Sequence, residues 1–291
     1  MVTTALHLDY FGIRVRVSAT AADLAEVAFH AGPHLRTTPE PAPPHFDVRL
    51  ATADGCVREA IVRRGELTVL RRPFRSWSNV PAPVPPFAAL EDRLCLVPAI
   101  VLARGSSVLA VIGSALSPKG GIGVALARRG WAFVSGQLLV LDRRTGYVLP
   151  YLAPVELRGG VARELATSGL AAGTSRRVPS KVSPDVLLVR PESLGRVVAR
   201  TARLARPRLV RLCRSADERI HLVQRPFQPQ PWPASAASTL SDVPSYLLEL
   251  PAAEVADEAA ELLCTMLRTD EEQPCLDALH TVPDRPVGLT A

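Results

Sequence analysis

Gly113 and Lys119 stand at the spacing of a phosphate-binding loop, between an apolar run and a stretch of helical pattern. The working pattern is G-x-x-x-x-G-K-[ST]. Backbone N–H groups and a helix N-terminus cradle the phosphates, the lysine reaches the outer ones, and the hydroxyl helps to hold magnesium. In this chain the stretch reads GSALSPKGG, so Pro118 takes the place of the second glycine and Gly120 that of the hydroxyl residue. Proline brings no N–H and fixes φ near the helical value, and Gly120 offers a metal no oxygen. Ser114 is the first side chain inside the loop. The outline of the motif is present, while the parts that serve phosphate and metal are altered.

The elements that must position this loop are legible on both sides of it. Val108–Ile112 is an apolar run suited to a buried strand, and Ile122 with Val124–Ala127 forms a helical pattern that Gly130 ends. Downstream, AFVS, QLLVLD and YVLP read as strands, with the RRTG turn before the last.

The run from Val111 to Trp131, continued by AFVSGQLLVLDRRTGYVLPYLAPVELR, resembles the core of the HPr kinase/phosphorylase superfamily, in particular its smaller HPr kinase-like bacterial members. The likeness covers Val108 to Arg158. Carried over by position, Gly113, Lys119, Gly130, Trp131 and Ser135 match the family pattern. Leu116 and Pro118 replace glycines, Gly120 and Gly121 replace the hydroxyl pair, and Gly136 and Gln137 replace two aspartates. In the family those aspartates serve the metal and proton transfer. Val97-Pro98 stands where relatives carry a His-Ala pair.

The resemblance implies an α/β fold with a P-loop HPr kinase-like core, a mixed β-sheet flanked by helices, and an N-terminal β-rich extension. It makes Gly113, Ser114, Lys119, Gly120 and Gly121 a vestigial nucleotide-binding set and leaves no catalytic residue assigned. Asp142 is the nearest acid to the lost aspartates, and reads either as the start of the RRTG turn or as a displaced metal ligand. Such relatives occur in peptide natural-product clusters, where kinase-like members act on precursor peptides. The implied role is therefore a pseudokinase that binds a protein or peptide partner as an accessory or scaffold, with neither metal nor cofactor. The alternative is an atypical nucleotide-dependent kinase using Lys119 with ATP and Mg²⁺. A second alternative is a fold recruited to a non-phosphate chemistry, in a cleft that Leu116 and Pro118 make more apolar.

The 291 residues, 47% hydrophobic and 21% charged, suffice for a sizeable core. Residues 1–86 read as a β-rich segment that extends the core sheet, 87–270 as the P-loop domain, and 271–291 as a tail. In the first segment Ile13, Val15 and Val17 alternate with polar residues, Ala21 to His30 reads as a helix, and FDVRLA, Val57–Arg63 and Glu66–Arg71 read as strands. FAALEDRL, from residue 87, reads as a helix leading into the strand CLVPAIVLA. Later come the helix VARELA, the strand DVLLVRP, a strand near Ile220–Gln224, another at Tyr246–Leu250, and an amphipathic helix from Ala252 to about Leu267.

The formal charge of +6 is concentrated at residues 190–214, where eight arginines face one acid, Glu192. ESLGRVVARTARLA and RPRLVRLCR read as two basic helices. The first would align Arg196, Arg200 and Arg203 in one stripe, either a solvated face or a docking surface for an acidic partner. No aromatic interleaving accompanies the arginines, which speaks against nucleic acid. His30 and His34 are separated by Gly32-Pro33, so they share no helical face, and with His45 they do not make a metal site by spacing. Five scattered cysteines without a C-x-x-C pair fit a reducing compartment. With no leader pattern and no apolar run near membrane-spanning length, a cytoplasmic protein without membrane contact is expected; nothing fixes whether it forms a homo-oligomer.

Overall fold

The computed structural model describes residues 4–36, 42–53, 57–74, 84, 86–114, 117–170, 173–177, 186–215, 219–226, 239–251 and 255–271. Leu116, Cys56, Cys275 and the expected tail lie outside them. The architecture is mixed α/β, with three sheets and few helices.

Strands β1 (Thr4–Tyr10), β2 (Ile13–Ala19), β3 (Phe46–Ala53), β4 (Val57–Arg64) and β5 (Leu67–Phe74) form a five-stranded sheet in that order. Tyr10 pairs with Ile13 across a two-residue turn at Phe11 and Gly12, both at positive φ, as the twist of such hairpins demands. β2 and β3 are parallel, and helix α1 (Ala21–Ala31) makes the crossover between them. Thr20 caps the helix by accepting from the Asp23 backbone N–H at 3.3 Å. Ile13, Val15 and Val17 are buried while Arg14 and Arg16 turn outward, as the alternation predicts.

The central sheet has eight strands. β6 (Leu94–Arg104) is its long spine: β7 (Ser107–Ile112) lies antiparallel on one side, and β8 (Ala132–Ser135) and β9 (Leu138–Asp142) follow each other antiparallel along the other. β10 (Val148–Leu149) extends the β9 side. Beyond β7 come β14 (Arg208–Arg214), parallel to it, then β16 (Ser245–Leu250), parallel to β14, and β15 (His221–Gln224), antiparallel to β16. A third sheet joins β11 (Val155–Arg158), β13 (Val186–Val189) and β12 (Ser175–Arg177).

Every residue of β7 is buried, because both faces are covered. Leu109 and Val111 pack with Ile122, Leu126 and Phe133 beneath helices α2 (Lys119–Arg128), α3 (Gly159–Thr167) and α4 (Ala256–Glu271). Val108, Ala110 and Ile112 pack on the opposite face with Cys95, Val97 and Leu139. Helix α2 ends where Gly130, at φ 88°, lets the Gly130 and Trp131 N–H groups close on the Ala127 and Leu126 carbonyls.

Four expectations are corrected. The first five strands pair among themselves and do not extend the central sheet; the two bodies meet through a shared core that holds Tyr10, Val15 and Phe46 together with Leu94, Val140 and Tyr151. Phe87–Leu90 is one 3₁₀ turn and not a helix through residue 94. Of the first basic helix only a 3₁₀ turn, Pro191–Ser193, forms. The chain then runs extended beside the sheet, with Phe133 N–H on the Arg196 carbonyl at 2.8 Å and Val198 N–H on the Phe133 carbonyl at 3.0 Å. Gly195, the β-branched pair Val197 and Val198, and Pro207 make a helix there weak, so tertiary pairing prevails. The second basic helix is strand β14, whose Leu209 and Val210 lie in the core on opposite faces of the sheet.

Helix α1 is held to the body by three arginines. Arg190 donates to the Ala28 and Phe29 carbonyls at 2.7 and 3.3 Å, Arg200 donates to the Pro33 carbonyl at 3.2 Å, and Arg176 pairs with Glu26. The Phe29 ring takes the Arg176 guanidinium at 4.6 Å and that of Arg190 at 5.6 Å. His30 and His34 sit in this contact, and burial pulls both down to about 4. Arg176 adds to the effect at His30. At His34, Arg200 adds to it while Asp9 opposes it.

The unfolded chain therefore takes up protons between pH 6.5 and 4 that the folded chain refuses. The stability due to neutral imidazoles is complete above pH 6.5, is lost as the pH falls towards 4, and changes no further below that. Each histidine accounts for about 3 kcal/mol over that range. The thermal midpoint should drop by on the order of 10 °C between pH 7 and 4.5. A His30→Leu/His34→Leu variant should lose much of this slope, and an unchanged slope in the variant would contradict the assignment.

Candidate functional site

Strand β7 ends at Ile112, and the loop that follows delivers Lys119 as the first residue of α2, so the strand–loop–helix expected around Gly113 is present. Its polar groups are turned on themselves. The Lys119 ammonium donates to the Ser114 carbonyl at 2.7 Å, the Ser117 hydroxyl donates to the same oxygen at 2.8 Å, and the Ser117 N–H does so at 3.1 Å. A phosphate cradle points its donors at an anion. Here three donors meet a carbonyl of the loop itself. Gly113 is closed over as well, since a Cβ there would press into the Ser117 side chain. Pro118, at φ −76°, starts the helix with no side-chain cap.

The second feature of the site is the stretch from Ala153 to Leu157, which enters β11. A Cβ at Gly120 would lie well inside 3.0 Å of the Glu156 carbonyl oxygen, with Leu157 Cδ2 at 3.1 Å, so no hydroxyl residue fits at this position. A Cβ at Gly136 would meet the Ala153 carbonyl oxygen equally closely and the Pro154 carbonyl carbon at 3.0 Å. Gln137 donates its side-chain amide to the Pro154 carbonyl at 3.0 Å. Ser135 is buried, and its hydroxyl accepts from the Leu138 N–H at 3.2 Å. One strand of backbone thus lies against Gly120, Gly136 and Gln137. Gly121 faces Ala256 of α4 and Val161 of α3, and serves packing.

Burial holds the Lys119 ammonium below the usual lysine range; Glu156 pulls it back up and Arg158 pushes it further down. Glu156 is itself engaged with Arg158 at 2.6 Å. Lys119 therefore belongs to an internal loop contact beside an ion pair. As they stand these residues form no cradle for a magnesium–nucleotide: main chain fills the space beside Gly120, the Lys119 ammonium is on the Ser114 carbonyl, and Gln137 ties down Pro154.

Asp142 takes up the turn role. Its carboxylate accepts the N–H groups of Arg144 and Thr145 at 2.9 and 3.1 Å. It pairs with Leu94, whereas the loop strand ends opposite Ala99; five residues of β6 separate them, about 16 Å. Arg196, Arg200 and Arg203 form no stripe. Arg196 is exposed on the extended segment, Arg200 holds the Pro33 carbonyl, and Arg203 is exposed with long contacts to the Thr201 and Ala202 carbonyls. Among the described residues no cluster of three or more histidines, cysteines or acids could hold a metal. Cys95, Cys213 and Cys264 are free thiols. Among those residues too, no helix is long and apolar enough to cross a membrane.

Sequence reasoning missed Ala153, Pro154 and Glu156, because they act through carbonyls that any residue carries. The signal available was Gly120 itself, a glycine inside a helix where it costs about 1 kcal/mol relative to alanine unless something must come close.

No protein-family model matches the chain, and no curated protein does. Among solved structures it is similar to the Hpr(Ser) kinase/phosphatase from Coxiella burnetii, at 13% identity and a TM-score of 0.35 over 61% of this chain and 99% of that one. At that distance, what the site can do is decided by its own geometry.

Gly120→Ser and Gly136→Asp should each lower stability by about 1–3 kcal/mol through overpacking against main chain. Denaturant unfolding measures this. A Gly120→Ser protein as stable as the parent would mean that β11 does not lie against the helix start.

Proposed function

We propose that the chain is a catalytically degenerate, HPr kinase-like protein that works by binding a protein or peptide partner, as an accessory or scaffold and not by transferring phosphate. The observation that carries this reading is the pairing of two close contacts: the Lys119 ammonium on the Ser114 carbonyl, and the Glu156 main chain against Gly120. Phosphoryl transfer depends almost wholly on positioned donors and metal charge. Both are consumed by internal contacts, while the surrounding core is kept intact. A packed framework with a filled cleft is suited to recognition at its surface. The sequence resemblance to kinase-like members that act on precursor peptides adds a partner class, an extended peptide.

Calorimetric titration and thermal unfolding with millimolar Mg-ATP and Mg-GTP test the reading. A nucleotide at 100 times its dissociation constant would add about 2.7 kcal/mol and raise the midpoint by roughly 5–10 °C. The expected outcome is no heat of binding and no shift, in the parent and in Lys119→Ala alike. A shift lost in Lys119→Ala, or phosphate transfer to any added peptide, would overturn the proposal in favour of an active nucleotide-dependent enzyme.

A further inference from the structure

The two edges of the five-stranded sheet are treated differently. Along β1 the outer edge is covered: Leu35 bridges to Leu8, and the Arg36 N–H donates to the His7 carbonyl at 2.9 Å. β5 closes the opposite side, and among the described residues no strand pairs with its outer edge. It is eight residues long, and from Leu67 to Pro73 every residue but Leu70 is exposed. Leu67 is 67% exposed and Val69 36%, two of the few large apolar side chains left in water. By contrast β15, at one edge of the central sheet, has four residues. An open strand of this length is a template for another strand.

Charge identifies what kind of strand. The β4–β5 hairpin carries Arg58, Arg63, Arg64, Arg71 and Arg72 against Glu59 and Glu66. Arg71 pairs with Glu59 at 3.5 Å, both in part exposed, which adds little. Arg63, Arg64 and Arg72 are exposed, with no ion pair to an acid among the described residues. A second copy of this chain would bring the same arginines to the same edge and be repelled. An acidic strand would neutralise them while its backbone completes the ladder and its apolar side chains cover Leu67 and Val69.

We propose that the outer edge of β5 takes up an extended acidic peptide segment by strand addition. The inference rests on the partner-binding reading above and names the surface and the partner chemistry. The basic surface thus lies on the N-terminal sheet and not at Arg196–Arg203.

The test is fluorescence anisotropy with the full chain and a labelled twelve-residue peptide alternating Val or Ile with Glu. Three controls accompany it: the same peptide with Lys for Glu, a version N-methylated at alternate amides on one edge and then the other, and a single-stranded oligonucleotide. Saturable binding of the acidic peptide, at least tenfold weaker for the Lys peptide and for one N-methylated version, is expected. Arg64→Glu/Arg72→Glu, whose side chains lie in water, should weaken it at least tenfold without changing the thermal midpoint. Hydrogen exchange should slow at β5 amides in the complex. No binding, equal binding of the Lys peptide, or indifference to N-methylation at both edges would overturn the proposal. So would an oligonucleotide that binds as tightly and displaces the peptide, which would make the surface a general polyanion site. Failure of the partner reading itself is read separately, as nucleotide binding or turnover in the calorimetric assay.

Discussion

The molecule is arranged around a close approach of main chain to main chain. The stretch Ala153–Leu157 passes over the start of helix α2 and over the turn between β8 and β9, touching Gly120 at one and Gly136 at the other. Neither contact tolerates a side chain, and Gln137 fastens the same stretch through the Pro154 carbonyl. Because β11 then pairs with β13, these contacts anchor the third sheet to the central one beside the start of α2. A side chain at Gly120 or at Gly136 would exclude this packing.

The same economy of contacts explains the arginines. Arg143 donates to the carbonyls of Glu91 and Leu94 and to Thr239, tying the β9–β10 turn to the start of β6. Arg129 reaches both the Ala125 carbonyl and Asp257, joining α2 to α4. Arg190 and Arg200 satisfy carbonyls at the end of α1 that would otherwise face a buried contact without donors. A guanidinium with five donors serves several acceptors at once, so these side chains act as fasteners between elements and only incidentally as surface charge.

The parts of the fold governed by local pattern were legible in the sequence. The β7–loop–α2 unit, the alternation of β2 and the amphipathic last helix followed from periodicity. The stretch from Arg196 to Arg214 was not, because arginines three and four apart mimic a helical face while the apolar residues between them serve an extended chain. Only pairing with Phe133 and with the strands beside β14 decides between the two, and that information is not local. For the site, residue types led to Gly120, Gly136 and Gln137 but not to the main chain packed against them, since carbonyl oxygens leave no mark in residue types.

Glycine carries what mark there is. Helix α2 contains Gly120, Gly121 and Gly123, a costly composition for ten residues if the helix stood alone. Each faces a different neighbour: Glu156 main chain, Ala256 of α4, and Ile100 of β6. The helix is therefore sunk among three elements that approach its backbone, and its weak intrinsic propensity is offset by that packing. Its first turn is packed against the Glu156 main chain on one side and Ala256 of α4 on another. The glycine pattern that resembles a phosphate loop in sequence is, in the folded chain, the means by which sheet and helices come into contact.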